Sequence, residues 1–197
     1  MKRALAYAGI LAAALSSAVG IARKTTLFDS YGTIAVQVRD GKSTKELRVP
    51  LYNPIKVPPG HCTKYGRMVA YELFGKDFPP GDAWDRKYTD TVVAQLDKND
   101  SLEELARKGI LQQGMLVGVY NPHTSRTAQE DKFGKPADIT HVVEYLGMTP
   151  EGRAVVAEQY GFTRHIRTEA EMREQGLTPL YIFDAPSSTA PVHPLIH

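Results

Sequence analysis

Three residues of this 197-residue chain, Cys62, His141 and Glu158, are of the types that together carry out acyl chemistry. A thiol attacks a carbonyl as its thiolate, so it needs a base within hydrogen-bond reach to take its proton. When that base is an imidazole, an acceptor on its second nitrogen fixes the ring. Cys62 follows the chain-breaking run Pro58-Pro59-Gly60 and precedes Gly66, Val69, Ala70, Leu73 and Phe74 at helical spacing. The pattern predicts that Cys62 opens a helix closed by Gly75. Unpaired N–H groups and the positive dipole end of a helix's first turn favour a thiolate and can hold an oxyanion. His141 stands early in the β-leaning run Thr140–Leu146, and Glu158 stands near the end of the next one, Arg153–Tyr160. Opposed side chains on adjacent antiparallel strands lie ~5 Å apart, so an acid there can reach the ring. Register decides which residue does so, because a slip by one position exchanges the two faces and presents Gln159 in place of Glu158.

The elements that must position these residues read as an α+β chain. Gly32–Val38 and Glu46–Leu51 flank Asp40-Gly41, which supplies the positive φ of a tight hairpin, so a hairpin over Gly32–Leu51 is expected. After the Cys-bearing helix comes a loop with Pro79, Pro80 and Gly81 that leads to Trp84, read as a core residue. Ser101-Leu102-Glu103-Glu104 and Thr168-Glu169-Ala170-Glu171 have the capping-box pattern and should each start a short helix, ending near Gly109 and by Gly176. Met115–Tyr120, Thr140–Leu146, Arg153–Tyr160, Gly161–Arg167 and Pro179–Phe183 read as strands, with a polar loop over Asn121–Pro136. The expected order is hairpin, helix, then an antiparallel meander with short helices.

Composition narrows the classes. With 24 Lys+Arg against 22 Asp+Glu, the net charge of +2 rests on Lys2 and Arg3, and the rest of the chain is balanced, which argues against a nucleic-acid partner. Met1-Lys2-Arg3 precedes an uncharged Ala/Leu-rich run to Ala22, the pattern of an export signal; its length also approaches the ~20 residues of a spanning helix. Residues 4–22 are therefore read as either a cleaved signal or a membrane tether, and the domain as exported and facing outward. An exported domain with a single cysteine cannot close an internal disulfide, which leaves Cys62 as either an inert buried thiol or a working one.

The segments around the three residues decide between these. Gly60-His61-Cys62-Thr63-Lys64-Tyr65, Asp82-Ala83-Trp84, Thr140-His141-Val142-Val143-Glu144 and Ala157-Glu158-Gln159-Tyr160 resemble the cysteine-histidine amidohydrolase/peptidase (CHAP) family. That family is papain-like and cleaves peptidoglycan. The stretch from Gly114 to Gly147 is also similar to the NlpC-type peptidases built on the same core. The resemblance spans about residues 57–162 and implies Cys62 as nucleophile, His141 as base and Glu158 as the orienting acid. It also implies a papain-like core in which the Cys-bearing helix packs on an antiparallel β-sheet. Lys64 and Thr140 depart from it, standing where the family often has Trp and has Gly, and Tyr160 stands where some members add an Asn to the site. Glu144 matches a frequent family Glu and is read as a structural residue on the strand surface.

The resulting organisation is a signal or anchor at 1–22, a hairpin extension at 23–56, a catalytic domain at 57–184 and a tail at 185–197. The expected activity is hydrolysis of peptidoglycan amide bonds by a Cys62-His141-Glu158 triad, with peptidoglycan or another peptide as substrate and no cofactor. His61 reads as exposed, and His123 and His165 are weaker alternatives as base. One cysteine with scattered histidines lacks structural-zinc spacing, and both GxxxxGK[ST] and GxGxxG are absent. Three other readings stay open: a non-catalytic envelope protein that keeps the papain-like shape, a phage lysin with a releasable anchor, and an acyl or peptidyl transferase on the same core.

Overall fold

The computed structural model describes residues 32–52, 56–83, 86–122 and 139–186. The segment 1–22, Trp84, His123 with most of the Asn121–Pro136 loop, and residues 187–197 lie outside these. Among the described residues the chain is α+β, with an antiparallel sheet and few helices.

Asp40-Gly41 turns the chain as its sequence requires. Gly41 sits at φ 61°, a left-handed conformation that side-chain-bearing residues resist, and β1 (Gly32–Asp40) pairs with β2 (Ser43–Leu51) from Asp40↔Ser43 to Gly32↔Leu51. After β2, α1 (Cys62–Phe74) begins on the cysteine and is closed by Gly75. A 3-10 turn over Arg86–Thr91 then leads into β3 (Val92–Gln95), followed by α2 (Leu102–Arg107), β4 (Leu116–Tyr120), β5 (His141–Met148) and β6 (Ala154–Tyr160). The chain continues through β7 (Thr163–Thr168) and α3 (Glu169–Glu174) to β8 (Thr178–Phe183).

The six-stranded sheet runs β3-β8-β4-β5-β6-β7. Strands β4 to β7 form the expected meander. The last strand, β8, returns to the free edge of β4, and β3, a strand the sequence patterns do not announce, covers β8. One sheet face carries α1 and the hairpin, where Val38, Val49, Tyr65, Val69, Leu146 and Ala157 form one core. The other face carries α2 and α3, with Leu102 and Met172 packed on Val117, Val143, Val156 and Ile182. Each such fully buried Val or Leu contributes ~1.5–3 kcal/mol relative to exposure. The hairpin is thus integral to the core beneath α1, and it is also tied to the β5–β6 turn by Arg39 Nε, 3.1 Å from the carbonyl of Pro150.

Helix α1 lies close on the sheet because Gly66 faces it. A Cβ at Gly66 would stand 2.9 Å from Leu116 Cδ2 and 4.0 Å from Glu144 Cβ. Glu144 is therefore not the strand-surface residue expected from the sequence: it points at α1 and is fully buried. The cap at Thr168 is the reciprocal box its sequence spells, with Glu171. Ser101 caps α2 differently from expectation. Its hydroxyl accepts from Glu103 N–H, while Glu104 pairs with Lys108 at 2.7 Å instead of reaching back. The carboxylate that completes this cap is Glu169 of α3, which takes the Ser101 hydroxyl at 3.1 Å and so fastens the two helices together. Among the described residues no helix is long and apolar enough to cross a membrane.

Candidate active site

Cys62 is the first residue of α1, and the exposed His61 at the cap position makes no side-chain cap hydrogen bond. The amide of Thr63 donates to Cys62 Sγ from the helix, and the amide of Val142 donates to it from β5. The second contact has a cause in the sheet. Pairing of β5 with β6 stops at Val143↔Glu158, so Val142 has no partner in that ladder and its N–H goes to sulfur instead.

His141 opens β5 and is buried. Because Val143 is the residue directly opposite Glu158, His141 is the diagonal neighbour of Glu158 on the same face. His141 Nε2 lies 2.6 Å from Glu158 Oε2, which leaves Nδ1 to the Cys62 thiol, its second hydrogen-bond partner. Tyr160 sets its ring edge-on to the imidazole with centroids 5.9 Å apart. Gln159 faces away from His141, its amide donating to the carbonyl of Pro58 at 2.7 Å. Across from it on β7, Arg164 donates to the carbonyl of Val57 at 3.4 Å. The β6–β7 pair thus holds His141 from one face and steadies the turn before Cys62 from the other.

Electrostatics polarise the pair. Burial would raise the thiol pKa, but the charge and hydrogen bond of His141 and the two backbone amides outweigh it, and the Cys62 pKa falls below the ordinary thiol value. Burial likewise opposes a charged ring at His141, yet Cys62 and then Glu158 push its pKa up to about 10. Burial also works against an ionised Glu158, and His141, Arg167 and His165 more than offset it, holding the carboxyl below its usual range. The arrangement therefore favours a thiolate beside an imidazolium, with the carboxylate behind the ring.

All three residues expected from the sequence meet. Of the alternative bases, His165 lies on β7 directly opposite Glu158 and contacts Thr163 Oγ1 at 2.8 Å, on the far side of the acid from Cys62. Three features had no reading in the sequence: the Val142 amide, the Gln159 and Arg164 tethers, and Arg167, whose Nη2 lies 2.6 Å from Glu158 Oε1. The available signal was the pair of cations inside Thr163-Arg164-His165-Ile166-Arg167, an odd content for a strand unless acids or carbonyls await them. Among the described residues no group of three or more His, Cys, Asp or Glu is placed to hold a metal ion.

Comparison with family models, curated proteins and solved structures returns no match to this chain.

Proposed function

We propose that this chain is an exported cysteine hydrolase on a papain-like core, cleaving amide bonds of peptidoglycan. The observation that carries the reading is His141 placed between the Cys62 thiol and the Glu158 carboxylate, at the N-terminus of a helix lying on an antiparallel sheet. The proposed cycle follows from the proton positions. The Cys62 thiolate adds to the amide carbonyl, and the developing oxyanion is met by backbone N–H groups at the start of α1. As the C–N bond breaks, His141 gives its proton to the leaving amine, which leaves a thioester on Cys62. Neutral His141 then takes a proton from water, whose oxygen attacks the thioester, releasing the carboxylic acid and restoring the ion pair. Glu158 keeps the ring in one orientation throughout and stabilises it when charged. Export rests on the cationic, then uncharged, residues 1–22, and the wall substrate on the resemblance of the segments around Cys62, His141 and Glu158 to CHAP and NlpC-type enzymes.

A second reading, a wall-binding protein that retains the shape without catalysis, has the 6% exposure of Cys62 on its side. Digestion of purified peptidoglycan by the full chain separates the two, with new amino groups and new reducing ends both counted. The hydrolase releases amino groups without reducing ends. Retention on the wall with release of neither supports the binding protein.

A further inference from the structure

The catalytic set described so far ends at Glu158, but the structure continues it. Arg167 sits on β7, one strand beyond the acid, and its side chain is buried at 6% exposure. Its Nη2 lies 2.6 Å from Oε1, the carboxylate oxygen that His141 leaves free, in an ion pair whose alignment falls outside hydrogen-bond geometry. Its Nη1 donates to the side-chain oxygen of Gln175, the C-cap of α3. The register explains the placement. Glu158 pairs with His165 and Val156 with Arg167, so Arg167 reaches Glu158 diagonally across β6–β7, as His141 does across β5–β6. Glu158 is thus held from both neighbouring strands, one oxygen to each. Taking a guanidinium and a carboxylate out of water carries a desolvation penalty that their mutual attraction need not repay, so a cation buried here calls for a role beyond stability.

We infer that Arg167 is a positioning residue for the proposed hydrolase: it keeps Glu158 ionised and aimed at His141, and through that ring it maintains the Cys62 thiolate. The inference rests on the cysteine-hydrolase reading and extends its site to β7 and α3. Arg167 touches neither the thiol nor the imidazole. Its effect is transmitted by charge through Glu158, which distinguishes it from a residue that merely packs.

The test is the pH dependence of Cys62 alkylation by iodoacetamide in the full chain, native and denatured, with thermal melts to establish folding. Native wild type should alkylate faster than denatured protein below neutral pH. Arg167→Met should move the acid limb of the profile upward by about one pH unit, a tenfold loss of rate on that limb. Arg167→Lys, which retains the charge but not the planar fork, should move it less. The double variant Glu158→Gln/Arg167→Met buries no unpaired charge and so serves where Arg167→Met fails to fold. Because Arg167 acts only through Glu158, its profile should coincide with that of Glu158→Gln alone. A wild-type profile in folded Arg167→Met, or a further shift in the double variant beyond Glu158→Gln, overturns the inference and leaves the hydrolase standing. Equal native and denatured rates in the wild type overturn both.

Discussion

Glu158 and Gln159, adjacent in β6, send their side chains to opposite faces of the sheet, one to His141 at 2.6 Å and the other to the Pro58 carbonyl at 2.7 Å. A single strand therefore holds both His141 and the turn before Cys62. Their spacing is fixed by one backbone register, Val143↔Glu158, and a slip of one residue would undo both contacts at once.

The proposed hydrolysis should show a wide plateau across neutral pH. Thiolate and imidazolium coexist between the lowered Cys62 pKa and the His141 pKa of about 10. As pH falls through the thiol's value, sulfur regains its proton and the nucleophile is lost. As pH rises through that of His141, the ring loses the proton it must give the leaving amine. The pH profile of kcat/KM for amino-group release checks this. An ordinary thiol ionisation at ~8.5 with no plateau below it would show that Cys62 and His141 do not act as a pair.

Glu144 should limit stability on the alkaline side. It is fully buried under α1, neither carboxyl oxygen has a partner among the described residues, and burial, opposed only by Lys76, raises its pKa well above 4.5. In the unfolded chain the carboxyl ionises near its ordinary value, while in the fold it stays protonated. Stability is thus unaffected below that value and declines as pH rises above it. Glu144→Met removes the titration and keeps the volume. Its melting temperature should exceed wild type by a margin that widens from about pH 5 to about pH 8. A margin that does not change with pH would mean that Glu144 is ionised in the fold.

Gly66→Ala should unseat the helix that begins at Cys62. Alanine gains up to ~1 kcal/mol of helix propensity over glycine, but its methyl group would meet buried Leu116 Cδ2 at 2.9 Å. Overpacking of this kind costs roughly 1–3 kcal/mol, and here it displaces the element that carries Cys62. Urea unfolding of Gly66→Ala should show the loss, and adding Leu116→Val should recover part of it. A single variant more stable than wild type would show that α1 does not approach the sheet so closely.

Local chemistry made some of this legible in the sequence. Asp40-Gly41 marked the hairpin, Pro58-Pro59-Gly60 before Cys62 marked the start of α1, and Thr168 with Glu171 marked α3, because turns and caps depend on neighbours a few residues apart. The meeting of His141 and Glu158 was readable as two strands joined by the turn over Thr149–Gly152. What depended on distant pairing was not. Val92–Gln95 is four residues with no turn signal of its own, made a strand by β8, and β8 takes its place beside β4 across a long stretch of chain. Glu144 reads as a surface acid because nothing nearby in sequence reports the helix above it. Arg167 acquires its partner from a register two strands removed from Cys62.

The most direct test of the central claim is amino-group release from peptidoglycan by Cys62→Ala beside wild type, with both proteins shown to be folded. The account predicts release by wild type and none above background by the variant. Release by Cys62→Ala at the wild-type rate would contradict it, since the proposed cycle passes the acyl group through the Cys62 sulfur.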